Sequence, residues 1–340
     1  MESTEILNVG IDLGTSRSAV SASNGQRHLV ESYVGWPVDM VARKVLKKSV
    51  LVGTPAVENR TMLDLHRPLE RGLIKEGSEK ELLAVRELLN HLLRLAGVSP
   101  TSGVQVRAVV GVPAAAMRVN KQQLRNALAG SVDALMIVSE PFAVAYGLDA
   151  LLHSMVIDIG AGTTDFCLMR GRFPNDEDQR TLTRAGDSID EMLQKLIQDR
   201  YPDAQFTIYM VRAWKEAFGF VGAPQQKVEV SVPIDGRPTR IDITDAMRMA
   251  CESILEPIAE TIQDLLPRID PEFQEKVRHN VILSGGSSLV SGLRAELQKR
   301  LQLMGGGKIQ SVKDPVYDGS DGCLAIALDA PDADWEKLGR

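Results

Sequence analysis

Short apolar runs closed by an aspartate organise the chain. Val9-Gly10-Ile11-Asp12 is strand-like and gives way to Leu13-Gly14-Thr15-Ser16-Arg17, and a second strand-like stretch, Ser18 to Ala22, follows directly. Two strand signals joined by a few small residues predict a hairpin. The pattern then lapses. Residues 33 to 66 are irregular, punctuated by Gly and Pro, with a basic cluster at Arg43, Lys44, Lys47 and Lys48, and read as a small inserted subdomain. Helical spacing returns from Ser78 to Ala96: Ser78 and Glu81 form a capping box, Leu82, Leu89, Leu92, Leu93 and Ala96 an apolar face, and Gly97 a stop. Val104 to Val112 predicts a buried strand, and Asn120 to Ala129 a helix ended by Gly130. Leu135 to Val138 predicts a strand running into Glu140-Pro141, where Pro141 suits the first turn of a helix.

The pattern then restarts. Met155-Val156-Ile157-Asp158 is again a short apolar strand ending in Asp, followed by Ile159-Gly160-Ala161-Gly162-Thr163-Thr164 and another strand, Asp165 to Met169. Ile189, Met192, Leu193, Leu196 and Ile197 form a helical stripe, and Thr207 to Phe218 predicts a helix carrying Lys215 and Glu216. A β-rich stretch from Lys227 to Ile243 precedes a long helix, Asp245 to Leu266, kinked at Pro257. Val281 to Leu283 is a strand opening into Gly285-Gly286-Ser287-Ser288 and then a helix. Mixed strands and helices throughout predict an α/β architecture. Asp12 and Asp158 head the same device at an offset of 146 positions, 158 minus 12. Such a duplication predicts two similar lobes facing each other across a cleft.

Composition sharpens this without redirecting it. At 340 residues, with 44% hydrophobic and 25% charged, the chain is long enough for a core in each lobe and is neither disordered nor fibrous. The net charge of −6 argues against a nucleic-acid surface. Cys167, Cys251 and Cys323 are far apart and fit neither a disulfide framework nor a thiolate zinc site, so they read as core residues in a reducing compartment. No signal peptide precedes the first strand, and the uncharged run Ala108 to Met117 is too short to cross a bilayer. The expected location is the cytoplasm.

The paired turns carry the candidate chemistry. A glycine-rich turn lets backbone N–H groups approach phosphate oxygens, since no Cβ intervenes, and Thr and Ser add hydroxyl donors. An Asp at the mouth of each turn can hold magnesium, usually through its water shell. One such loop alone is ordinarily a tight hairpin whose glycines serve geometry. Two matched copies weigh towards a clamp on a polyphosphate. Gly305-Gly306-Gly307-Lys308 superficially resembles a P-loop, but Ile309 stands where Ser or Thr is required, so it reads as a turn.

On these residues the chain resembles the actin, sugar-kinase and heat-shock-chaperone ATPase superfamily, with five corresponding blocks over nearly its whole length. Asp12 to Arg17 and Asp158 to Thr164 resemble the two phosphate loops. Ser139-Glu140-Pro141-Phe142-Ala143 and Asp318 to Leu328 resemble the two lobe-connecting segments, and Ser284-Gly285-Gly286-Ser287 the adenosine-binding turn. Arg67-Pro68-Leu69-Glu70-Arg71-Gly72-Leu73-Ile74 is similar to a segment of bacterial actins of the cell-shape (MreB) type, and Val211-Arg212-Ala213-Trp214-Lys215-Glu216 to the actin helix whose Lys-Glu pair touches adenosine. Within that branch the chain resembles the bacterial actins of magnetosome chains.

The resemblance implies an actin-like, ribonuclease H-like duplicated fold of two lobes and four subdomains around a nucleotide cleft. Subdomain IA would be 1–32 with 67–140 and 318–340, IB 33–66, IIA 141–182 with 255–317, and IIB 183–254. ATP and Mg2+ are the implied cofactors. Asp12 and Asp158 would position the metal, and Gly14, Thr15, Ser16, Gly160, Gly162 and Thr163 would cradle phosphates. Glu140 would orient the attacking water together with Asp158, while Lys215, Glu216, Gly285, Gly286 and Ser287 would hold adenosine. Arg17 departs from the pattern: a phosphate contact and a solvated hairpin side chain are both open. Glu140 could equally be an acidic residue favoured by a helix N-terminus.

Three functions share such a cleft: a filament-forming ATPase, a small-molecule kinase and a chaperone-type ATPase. The placement of the last block near residue 328 leads us to expect no peptide-binding domain, and no catalytic Asp facing a sugar can be identified. The insert and the bacterial-actin segment favour the filament. The implied partners are further copies of the chain and magnetosome-associated or other filament-regulating proteins. Nucleic acid and direct membrane insertion are not expected, since no N-terminal amphipathic helix is visible.

Overall fold

In the computed structural model, which describes residues 5–75, 79–99, 103–119 and 121–338, the repeat becomes two sheets of the same design. The first comprises β1 (Ile6–Asp12), β2 (Arg17–Ala22), β3 (Arg27–Glu31), β4 (Gln105–Val112) and β5 (Ala134–Ser139), in the order β5-β4-β1-β2-β3. The second comprises β6 (Leu152–Ile159), β7 (Thr164–Arg170), β8 (Gln179–Leu182), β9 (Val281–Ser284) and β10 (Ile309–Ser311), in the order β8-β7-β6-β9-β10. In each, an antiparallel meander occupies one side and parallel strands the other, so the central strand is the point where pairing changes sense. Asp12 sits there opposite Ala19 and Gly111, and Asp158 opposite Asp165 and Ser284. Ligand sites in open α/β sheets form at the carboxyl ends of strands at such points.

Each lobe has its own core. Val9, Ile11 and Leu13 pack against α1 (Glu79–Leu95) through Leu88, Leu89 and Leu92, all fully buried and each contributing roughly 1.5–3 kcal/mol. In the second lobe Met155, Ile157 and Phe166 pack with Ile189, Leu193 and Ile197 of α3 (Gly186–Arg200). The chain passes between lobes through α2 (Glu140–Gly147) and returns through α8 (Asp318–Asp329), and these two helices lie against each other. Their approach is so close that a Cβ on Gly322 would fall on the carbonyl oxygen of Ala143. The insert between the hairpin and α1 folds on its own small cluster of Tyr33, Leu51, Ala56 and Leu63, around strands Val34–Pro37, Leu51–Val52 and Leu63–His66.

Several local expectations are corrected. The long helix of 245–266 is two helices, α5 (Thr244–Glu252) and α6 (Leu255–Leu265). Pro257 lies in the first turn of α6, where a missing N–H costs nothing, so it begins a helix rather than kinking one. The adenosine-type turn does not lead straight into a helix: Gly286–Leu289 is a 3-10 turn, and α7 starts at Leu293 (Leu293–Leu303). Leu82 is 47% exposed, and the buried stripe of α1 is carried by Val85 with Leu88, Leu89, Leu92 and Leu93. Ser78 and Asn120, proposed as helix starts, lie outside the described residues. The three cysteines are buried and unbridged, and Gly305 to Gly307 form a turn of three successive positive φ angles.

Candidate functional site

The ends of β1 and β6, the turns that follow them, the start of α2 and the Gly285-Gly286 turn converge on one cavity of about 260 Å³ between the lobes. Every residue singled out from the sequence lines it: Asp12, Gly14, Thr15, Ser16, Arg17, Glu140, Asp158, Gly160, Gly162, Thr163, Lys215, Glu216, Gly285, Gly286 and Ser287. Two halves separated by over a hundred residues thus meet on a single concave surface. Its volume is slightly below the ~300 Å³ at which small-molecule pockets usually begin.

The turns are braced by their own polar groups. Gly160 donates its N–H to the Thr163 carbonyl at 2.9 Å, and Ser287 Oγ donates to the Gly160 carbonyl at 2.7 Å, tying the adenosine-type turn to the second phosphate-type loop. Thr15 Oγ1 accepts the Gly72 N–H at 3.0 Å, and Arg67 Nε donates to the Thr15 carbonyl at 2.9 Å, so the bacterial-actin-like segment buttresses the first loop. The Ser287 hydroxyl thus spends its proton on the scaffold, whereas Thr15 Oγ1 only accepts and keeps its own O–H to offer a ligand beside the backbone amides. Lys215, from α4 (Ile208–Phe218), is buried; its Nζ donates to the Gly186 carbonyl at 2.8 Å and pairs with buried Asp190 at 2.7 Å. Arg17 is not a free hairpin side chain: its Nε meets Glu31 at 2.9 Å and its Nη2 meets Glu216 at 2.8 Å.

The floor is strongly acidic. Burial pushes Asp12 up to about 7, partly opposed by a hydrogen bond with Glu140. Glu140 is raised well above the usual carboxylate range, first by burial and then by the charges of Asp12, Asp158 and Asp165. The shared hydrogen bond lowers Asp12 and raises Glu140, so Glu140 is the protonated donor. Asp158 is likewise raised by burial and by Asp12, Asp165 and Asp318. Asp165 is pushed to about 6 by burial, against the stabilising bonds from Thr181, Thr163 and the Ala114 N–H. Asp318 reaches about 7 through burial and the nearby Asp314 and Asp321.

This donor set fits a hard divalent cation. Glu140 Oε1 is buried without a hydrogen-bond partner, and Gly285 and Gly319 leave room beside the Asp158 and Asp12 carboxylates that a Cβ would fill. Among the described residues no three acidic, His or Cys side chains come close enough to ligate a metal directly. Magnesium, which keeps several waters, would be held by Asp12 and Asp158 through that shell.

Several residues of the site escaped the sequence reading. Asp165 announces itself only as an acid inside an apolar strand, directly opposite Asp158. Asp318 begins α8 and is brought to the floor by the chain's return crossing. Arg212 stands one turn before Lys215 and lines the same cavity.

Comparison with known proteins agrees with this arrangement. The family model described as MreB/Mbl protein matches residues 6–327. Actin-like protein MamK of Paramagnetospirillum magneticum (strain AMB-1) is 40% identical over 331 residues, covering 97% of this chain and 95% of the relative. The MamK-like protein of the same organism is 34% identical over 337 residues, 99% of each chain. Among solved structures, a MamK double helical filament superposes with a TM-score of 0.93 at 40% identity, covering 96% of this chain and all of that one. A non-polymerising MamK mutant bound to AMPPNP, at 39% identity and the same coverage, gives 0.73.

Proposed function

The chain belongs to the MreB/Mbl family, and on that premise we propose that it is an actin-like protein that polymerises on binding ATP and hydrolyses it as filaments turn over. The observation that carries this is the convergence of both glycine-rich loops, the connecting-segment acid and the adenosine-type turn on one cleft. A MamK structure with AMPPNP bound supports a nucleotide as the ligand, and MamK filament structures support self-assembly.

In this proposal amides of Gly14, Thr15, Ser16, Gly160, Gly162 and Thr163 bind the phosphates. Asp12 and Asp158 would hold magnesium, which when bound would supply charge neutralisation at the phosphates. Glu140 orients the attacking water. Among the described residues its Oε1 has no hydrogen-bond partner, which leaves a position open for that water. Phosphoryl transfer depends mainly on positioning and electrostatics, so little more is required of the protein. Gly285, Gly286, Ser287, Lys215 and Glu216 surround the adenosine. The division into IA, IB, IIA and IIB at the boundaries given above belongs to the same proposal. Assembly is head-to-tail between unlike surfaces, the kind of contact that propagates without closing. The proposed setting is a cytoplasmic filament that positions magnetosomes with the help of associated proteins; among the described residues no helix is long and apolar enough to cross a membrane.

Phosphate release from ATP by the purified protein tests the enzymatic part. Release that rises with protein concentration, as filaments form, is expected. Transfer of the phosphoryl group to an added sugar, with no release to water, would overturn it in favour of a kinase.

A further inference from the structure

Helix α4 meets the opposite lobe along a single face. Tyr209, Arg212 and Glu216 follow one another at i, i+3 and i+7, which places them in one row along the helix. Each has a partner in the first lobe or its insert. Tyr209 packs against the insert's small apolar cluster, with its ring 6.1 Å from that of Tyr33 and the Arg60 guanidinium 4.8 Å from its centre. Arg212 donates from Nη1 to Tyr33 Oη at 2.9 Å. Glu216 accepts from Arg17 Nη2 at 2.8 Å, and Arg17 is steadied by Glu31. The neighbouring face of α4 is fixed in its own lobe by Val211 in the core and Lys215 on Asp190. The helix is thus anchored in one lobe, where Arg212 also pairs with Asp187 and Asp190 at 3.3 Å, and reaches the other through this row.

Three of these side chains, Arg17, Arg212 and Glu216, also line the cavity between the lobes. We propose that the Tyr209, Arg212 and Glu216 row of α4 is a closure seam whose contacts with Tyr33, Arg60 and Arg17 retain nucleotide in the cleft. The proposal rests on the nucleotide reading above and goes beyond it: these are positioning residues for the closed state, and Arg17 serves as a clasp between lobes in place of a phosphate contact. On this proposal the row slows the parting of the lobes, so weakening any of its contacts speeds release of ATP and ADP alike. A phosphate contact by Arg17 would discriminate between the two and would be indifferent to Glu216.

A charge-swap cycle tests this with fluorescent N-methylanthraniloyl-ADP and the corresponding ATP analogue, each chased by excess unlabelled nucleotide below the concentration for assembly. Arg17→Glu and Glu216→Arg should each speed release about two- to fivefold, the size expected of a partly exposed ion pair. The effect should be equal for both probes. The double swap should return towards the wild-type rate, because the cation now carried by α4 faces two acids. Tyr209→Ala should speed release without altering the Arg17–Glu216 coupling. Singles that release at the wild-type rate, or a double swap that simply combines their effects, would overturn the seam. Failure of the wild-type protein to bind either probe would instead overturn the nucleotide reading on which it rests.

Discussion

Replacing Glu140 by Gln should impair hydrolysis and stabilise the protein at once. The substitution keeps the shape of a buried side chain and its capacity to donate to Asp12, but it removes the carboxylate that would align water. Losing a positioned acid–base group costs typically about 10²–10⁴ in rate, or about 2.7–5.4 kcal/mol of barrier. The stability effect has the opposite sign. Glu140 ionises in the unfolded chain near 4.5, whereas in the folded protein burial and three neighbouring acids hold it protonated to much higher pH. Over that interval the native state binds the extra proton, so stability declines with rising pH on account of this residue. Gln carries no such penalty. The variant should therefore melt close to wild type at pH 5 and several degrees above it at pH 7.5, in the absence of nucleotide, while nucleotide-dependent filaments still form. Phosphate release and a thermal melt at the two pH values measure both arms. Hydrolysis within threefold of wild type, or a lower melting temperature at pH 7.5, would refute the reasoning.

Further perturbations probe the scaffold around that floor. Gly322→Ala places a methyl on the Ala143 carbonyl where α2 and α8 cross, and the strain should cost about 1–3 kcal/mol or more in urea denaturation. Asp190→Ala leaves Lys215 buried and unpaired, which should cost about 3–5 kcal/mol, and replacing both residues by Met should recover most of it. Without nucleotide or magnesium, stability should fall as pH rises from 3.8 towards 7, because Asp12 and Asp318 keep protons in the folded state that the unfolded chain has released. Melting temperatures across that range should show the slope, and magnesium with ADP should flatten it by replacing the protons with a cation.

The duplicated architecture and the Asp12 and Asp158 part of the floor were legible because both are written in short range, whereas Asp165 and Asp318 reach the floor only through the fold. An apolar run that stops at Asp and turns through glycines marks a strand end, and its recurrence at Asp158 predicted the second sheet. Less legible were features that arise from tertiary contact. No periodicity tells that helix 245–266 breaks at Ser253 and Ile254, since the apolar stripe continues on both sides of the break. Leu82 fits the apolar face of α1 by spacing, yet it is exposed. The hydroxyls of Thr15 and Ser287 suggested ligand donors, and only the fold reveals that Gly72 and Gly160 engage them. Arg17 is the clearest case: its partner Glu216 lies 199 positions away, and no local pattern could have paired them.

Electron microscopy of the purified protein, with sedimentation in parallel, tests the central claim most directly. With ATP and magnesium the account predicts filaments that pellet, that dwindle as ATP is consumed, and that are absent without nucleotide. A protein that stays monomeric at high concentration in ATP, in ADP and without nucleotide would contradict it.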